Sequence, residues 1–529
     1  MAARIGATAG GSRAGWWFAL VTITLVAAST ALLVIHFGAY LLYAAQAISY
    51  PFELDYGEGI VWYQALKIPD GPMYGDITTY PFTVFHYPPA YHMGSRALSL
   101  VTGDMLVAGR LVSVASTLAI AGIAACIVKQ STPPGTARIA GICGAAVAGL
   151  SVFCLNPVLQ WSHLMRVDML AIAFSFLGVF FAVRPTTRPY HFHLVVLFFV
   201  AAIFTKQTSV AAALATVPVL FLVDRWNTVR ACLFGLAVAV AFLAAMTWAT
   251  DGGFLRHIVQ HNINRFDLRV VYWNLRLPWH EYGFLFAAII SIVMFWWRQV
   301  GLRSPRAWIP VAYGTLMNPG TRAMVIMPLY LFTSSLTLLT MGKSGATLNY
   351  FIEWMCTWCA LIGLIITTEV GRTGSAVFSG VPIRFGASIP GFLAVLGLLF
   401  QAYFTSDPRT DRFRNQQQIA ALSELTEKVR AAPGPVLSED MVLLVRVGKD
   451  VPWEPSIFAE LGSLGRWDET LITDMINHRR FSFIVTVSQP GHGFHEARFN
   501  PAVQRAIETA YPRIEEIAGY LVRSPSGPL

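Results

Sequence analysis

Residues 51–59 read PFELDYGEG, and the carboxylates of Glu53, Asp55 and Glu58 follow directly on an apolar run from Trp16 to about Ala45. A run of that length crosses a bilayer. Acids placed at its end need a partner or a task, because an unpaired charge beside hydrocarbon is costly. The run exceeds the roughly 7 to 15 apolar residues of a cleaved signal segment, so with Arg4 and Arg13 before it the N-terminus reads as an uncleaved anchor.

The rest of the chain has the same character. Of 529 residues, 55% are hydrophobic and 13% charged, and the mean hydropathy is +0.54. That composition excludes an ordinary soluble protein and indicates a polytopic α-helical membrane protein. The net charge of +9 does not indicate a nucleic-acid partner, since Lys and Arg collect on cytoplasmic loops and beside lipid phosphates. Spans of about 20 apolar residues are expected near 16–41, 104–128, 139–155, 168–183, 191–204, 209–223, 231–249, 282–297, 323–341, 351–369 and 386–404. With the N-terminus cytoplasmic, these spans place Lys129, Arg138, Arg184, Arg188, Arg225, Arg230, Arg298, Arg303, Arg306, Arg322, Arg372 and Arg384 inside. The acidic stretch then lies outside, with NPVLQWSHLMRVD, FTKQTS, the connection at 250–283 and GKSGATLNY.

The six cysteines sit in or at the ends of apolar stretches, so no disulfide framework is expected. Cys356 and Cys359 form a CxxC inside FIEWMCTWCALIGLII, where the spacing puts two small residues on one helix face. The first outer loop, about 46–100, is rich in Tyr, Pro and Gly, and Trp62, Tyr63, Tyr87 and Tyr91 favour helices lying on the membrane surface. From Ser406 the composition becomes that of a soluble domain. Residues 406–529 are expected to form a small extracytoplasmic α/β domain after the membrane domain 1–405, with helices near 419–432 and 500–511 and strands near 435–447, 481–487 and 517–523.

The residue types in the outer segments admit several readings. A carboxylate at the interface can take a proton from an incoming hydroxyl, a group of carboxylates can hold a divalent cation, or acids can decorate a solvated helix N-terminus. His257 and His261, four residues apart, could share a helix face for zinc, yet no HExxH pattern or third ligand accompanies them. Arg256, Arg265, Arg269 and Arg276 suit lipid phosphate or acceptor better. A transporter or lipid-linked-sugar flippase is the alternative class, but its broken helices and mid-membrane charges are not evident.

An acidic motif opening the first outer loop, the turn Tyr87-Pro88-Pro89, MRVD at 165–168, TKQTS at 205–209 and GKSGATLNYFIE at 342–353 together resemble the GT-C glycosyltransferases. The resemblance is to the group containing aminoarabinose transferases and protein O-mannosyltransferases, bacterial family 39-like, and covers the chain to about residue 404. It implies an inverting transfer of sugar from a polyprenyl-phosphate donor to a lipid, glycan or protein acceptor at the outer face of the inner (plasma) membrane. Asp55 aligns with the catalytic acid, and Glu58 stands as its understudy or an acceptor-orienting partner. The acids here are spaced Glu-x-Asp-x-x-Glu, where protein O-mannosyltransferases carry an adjacent Asp-Glu pair. The resemblance further implies substrate contacts from Glu53, Tyr87, Arg166, Asp168, Lys206, Lys343, Asn349, Tyr350 and Glu353. Arg166, Lys206 and Lys343 would grip phosphate, with Asp168 a competing local partner for Arg166. No cofactor is certain, and a divalent cation is left open.

Overall fold

The computed structural model describes residues 6–132, 138–184, 188–262, 264–300, 316–379, 385–406 and 408–526. Arg4, Arg303, Arg306 and Arg384 of the expected cytoplasmic segments lie outside them. Helices form over every apolar run: Gly6–Ser49, Met105–Gln130, Arg138–Leu150, Asp168–Val183, Pro189–Ile203, Ala211–Val223, Arg225–Ala249, Tyr282–Val300, Pro319–Leu338, Asn349–Ser379 and Phe385–Phe404. Among the described residues, six stretches are long and apolar enough to cross a membrane: Leu20–Ser49, Met105–Gln130, Arg225–Ala249, Leu268–Met294, Pro319–Gly342 and Asn349–Gly371. The other apolar helices are shorter. The chain is a multi-pass helical membrane protein.

The stretch Leu268–Met294 starts well before the expected 282–297, taking in part of what the sequence reads as an outer connection. Its first turns expose Tyr272, Trp273, Trp279 and Tyr282, the residue types that sit at the headgroup level. Inside the bundle, small residues let helices touch along their backbones. A Cβ on Gly363 would come within 2.6 Å of the Gly144 carbonyl oxygen, so Arg138–Leu150 and Asn349–Ser379 pack without side chains between them there. Cys356 and Cys359 are buried free thiols in this core.

The first loop folds as two helices, Glu58–Asp70 and Ala90–Thr102, joined by an extended segment. Its aromatics are not at a lipid surface. Trp62, Tyr63 and Tyr91 are 7%, 3% and 0% exposed, because the C-terminal segment covers them, with the Arg446 guanidinium 4.9 Å from the Trp62 ring. One apolar cluster joins Ile60, Val61 and Trp62 to Leu425, Val429, Met441, Val442 and Val485, and another joins Ile77, Phe82 and Val84 to Trp453, Phe458 and Trp467. Apolar surface of this kind is worth about 25 cal/mol per Å² when removed from water, so the loop and the C-terminal segment stabilise each other.

That segment holds a four-stranded sheet in the order β1-β2-β4-β3, from Leu437–Ser438, Ile484–Thr486, Arg513–Ile517 and Tyr520–Ser524. β1 and β2 run parallel, with Leu437 opposite Ile484, and the remaining pairs are antiparallel. Helices Gln416–Ala431 and Pro501–Ala510 fall where the pattern puts them. The strand expected at 435–447 is a correction: only two residues pair, and Met441–Arg446 is a helix. Asp440 caps it by accepting from the Leu443 amide at 3.2 Å, and its apolar residues are buried all round, a pattern without period. The strand expected at 517–523 is one arm of the β3–β4 hairpin, turned by Ala518 and Gly519 at positive φ.

Candidate active site

The three acids of the opening stretch point in three directions. Asp55 faces Arg166, whose Nε donates to its Oδ2 at 2.8 Å and whose guanidinium adds a second, shorter contact to the same oxygen. The Gly57 amide also donates to that oxygen at 3.2 Å. Gly57 is required by packing, since a Cβ there would collide with the Arg166 guanidinium.

Glu58 faces inward and is fully buried. Arg110 Nε donates to its Oε1 at 2.8 Å and Nη2 to its Oε2 at 2.7 Å, while the amides of Met165 and Leu54 each donate at 2.8 Å. Burial, the largest influence, pushes its proton affinity up, but the Arg110 charge together with the hydrogen bonds from Arg110, Met165 and Leu54 holds the carboxyl below the ordinary glutamate range. Arg110 also donates to the carbonyls of Ala47, Tyr50 and Phe52, which tie the end of the first helix to the acidic stretch. Every lone pair of Glu58 is therefore engaged in holding the stretch in place. Sequence reasoning missed Arg110, although an arginine inside MLVAGRLVSV is itself a signal for a buried partner.

Glu53 turns away toward the C-terminal segment and faces Asp440, which also accepts from Tyr520 Oη at 2.9 Å. Burial first, then the Asp440 charge, pushes the Glu53 carboxyl well above the usual range. Divergent acids cannot share a cation, and among the described residues no three His, Cys, Asp or Glu side chains converge as metal ligands. The His257 ring is occupied too: Nδ1 accepts from the Phe85 amide at 3.0 Å and Nε2 donates to the Gly75 carbonyl at 2.6 Å, which assigns its neutral tautomer.

Asp168 does not pair with Arg166. It accepts from Lys206 Nζ at 2.6 Å, Asn349 Nδ2 at 2.9 Å and Trp161 Nε1 at 2.8 Å. Burial, the largest influence, lowers the Lys206 proton affinity, yet the Asp168 carboxylate with Tyr350 and Tyr87 together outweigh it and the amine stays charged. Tyr350 supports the same ammonium, 4.7 Å above its ring. Glu353 lies behind, accepting from Tyr330 Oη at 2.7 Å in the bundle.

Two cavities flank this group. One of about 540 Å³ is lined by Arg166, Lys206, Lys343, Tyr87, Asn349 and Tyr350, six of the expected contact residues, together with Tyr56, His86 and Glu454, which sequence reasoning missed. Burial drives the Tyr87 hydroxyl up to about 12 and the His86 ring down to about 3, so both are neutral. Lys343 has no ion-pair partner among the described residues. The other cavity, about 830 Å³, is lined by Asp55, Trp161, His163, Arg409 and Arg412 among others. The Asp55–Arg166 pair stands in the wall between them, with its anion in one cavity and its cation in the other.

No protein-family model matches the sequence, and no curated protein does. Solved structures do. ArnT from Cupriavidus metallidurans in the apo state aligns with TM-score 0.56 at 12% identity, over 95% of this chain and 100% of that one. The same protein bound to undecaprenyl phosphate aligns with TM-score 0.54 at 12% identity, over 94% and 98%. The Archaeoglobus fulgidus oligosaccharyltransferase in the apo form aligns with TM-score 0.46 at 11% identity, over 90% and 72%. The chain thus shares its fold with ArnT over 94–95% of its length.

Proposed function

We propose that the chain is an inverting glycosyltransferase that moves a sugar from a polyprenyl-phosphate donor to an acceptor hydroxyl or amine at the outer face of the cytoplasmic membrane. The observation that carries this reading is the Asp55–Arg166 wall, with Lys206 and Lys343 beside the guanidinium and a separate space beside the carboxylate. Eleven spans with a cytoplasmic N-terminus put both cavities and residues 406–529 outside.

In this scheme the donor phosphate lies in the cationic cavity. Arg166 and Lys206 are held charged by Asp55 and Asp168 before any ligand arrives, so the site is pre-organised for negative charge that grows on the leaving phosphate. Lys343 brings a charge that no carboxylate among the described residues pairs with. A bound phosphate competes with Asp55 for the guanidinium, and the carboxylate, freed in part, takes the proton of the acceptor in the neighbouring cavity. The acceptor oxygen or nitrogen then attacks the anomeric carbon on the face opposite the phosphate. Glu58 and Arg110 act as positioning residues for Asp55. Tyr87, Asn349 and Tyr350 border the donor, whereas Glu353 and Glu53 are set back from both cavities. It also bears on the proposal that one of the solved structures of this fold is bound to undecaprenyl phosphate.

The test is incubation of the purified full chain with a panel of labelled polyprenyl-phosphate sugars and membrane-extract acceptors, with and without chelator. Chelator-insensitive transfer from one donor is the expected result. Absence of transfer from every donor, together with lipid flux in vesicles, would replace the transferase by the flippase.

A further inference from the structure

The cationic cavity contains one carboxyl group that phosphate binding leaves unexplained. Glu454 comes from the C-terminal segment, in VPWEPS, and is 5% exposed. Its Oε2 has no hydrogen-bond partner among the described residues. It precedes helix Pro455–Ser463 without capping it. The backbone is held in place on both sides: Phe82 pairs with Trp453, and the Ser456 amide donates to Tyr56 Oη at 3.1 Å.

We propose that Glu454 is the proton donor of the phosphate cavity, hydrogen-bonding the phosphate and giving its proton to the leaving oxygen as the sugar departs. In that step the bond between the anomeric carbon and phosphate oxygen breaks, and the electron pair stays on the oxygen. That oxygen takes the Glu454 proton, while the acceptor bonds to the anomeric carbon and gives its own proton to Asp55. The inference rests on the transferase reading.

The carboxyl is kept protonated by its surroundings. Burial raises it to about 8, and the Arg166 charge only partly opposes that. The other titratable groups of the cavity do not neutralise it. Lys343 lines the same cavity but is not among the charges that act on Glu454, and Glu460 accepts from the Arg265 amide. Arg166 and Lys206 are committed to Asp55 and Asp168, His86 is neutral, and Tyr56 is pushed well above its ordinary value by burial and then by Glu454 itself. A carboxylate there would repel a phosphate; a carboxylic acid donates to it. A carbon–oxygen bond breaking onto phosphate is helped by an acid whose proton affinity lies near the working pH.

The experiment measures undecaprenyl-phosphate binding by tryptophan fluorescence, and turnover where a donor is found, from about pH 6 to about pH 10. It uses the full chain, E454Q and E454D in detergent, each checked for a monodisperse fold. Binding by the natural chain is expected to weaken above about pH 8 as Glu454 ionises. E454Q keeps a donor but cannot ionise, so its binding should lose that alkaline limb, while its turnover falls by about 10²–10⁴-fold. E454D should retain a pH-dependent limb. An unchanged alkaline limb in E454Q would overturn the role of Glu454 and leave the transferase reading standing. Failure of the natural chain to bind undecaprenyl phosphate at any pH would overturn both.

Discussion

Asp55 and Glu58 are three residues apart and have opposite duties. Asp55 is part-exposed to a cavity with one oxygen engaged by Arg166, so removing its charge should remove a proton acceptor. Asp55→Asn is expected to reduce transfer about 10²–10⁴-fold with expression and fold retained, read from initial rates on the purified protein. Glu58 is fully buried against Arg110, and Glu58→Gln leaves the buried guanidinium without a counter-charge among the described residues. Breaking a buried pair from one side costs about 3–5 kcal/mol, so this variant should lose thermal stability before it loses chemistry. Because folding depresses the Glu58 proton affinity, its contribution is complete above the ordinary glutamate range and is lost as pH falls through the lower folded value. Thermal unfolding of Glu58→Gln against the natural chain at neutral and acid pH checks both the size and the sign.

Helices and loops differ in how plainly the sequence announced them. Apolar runs such as 105–130 are legible because a bilayer-length stretch has few other structural options. Short elements of the C-terminal segment are not: Leu437–Ser438 pairs over two residues, and the buried run Met441–Arg446 carries no period to separate helix from strand. The site was legible as residue types at span ends. Its pairing was not, because Arg166 reaches Asp55 across 111 residues and Lys206, not Arg166, takes Asp168. Glu454 looks like an ordinary residue ahead of a helix-starting proline, and only the fold brings it to the cations. The approach of elements at Gly57 and Gly59 was likewise hidden. A Cβ on Gly59 would come within 2.5 Å of the Val442 amide, and one on Gly57 would meet Arg166. Gly57→Ala should therefore push the guanidinium out of its place at a cost on the order of 1–3 kcal/mol, raising the KM for donor more than it changes acceptor affinity. Steady-state kinetics with donor and acceptor varied separately distinguishes this from general loss of fold.

At the scale of the molecule, the first loop and the C-terminal segment pack together through shared apolar clusters, tied to the bundle through Arg110. Their contact is apolar across Trp62, Val442, Phe82 and Trp453, with Arg446 paired to Asp104 at 2.9 Å and Lys67 to Asp450 at 3.1 Å along its edge. Within it, Glu53 and Asp440 face each other, one from each partner, and share a hydrogen bond that needs one of them protonated. Burial raises both carboxyls, so the docked state holds a proton that the undocked state releases. The sign follows: docking is strongest below the ordinary carboxylate range and weakens as pH rises through the raised values. Asp440→Asn removes the second negative charge while keeping a group that can bond Glu53 and Tyr520. Hydrogen exchange at residues 50–66 and 436–446 should therefore accelerate with pH in the natural chain beyond the intrinsic amide rate, and that excess should shrink in Asp440→Asn, where burial of Glu53 remains but the Asp440 charge is gone. Equal excess in both proteins would mean that another group, not this carboxyl pair, controls the docking of the C-terminal segment over the site.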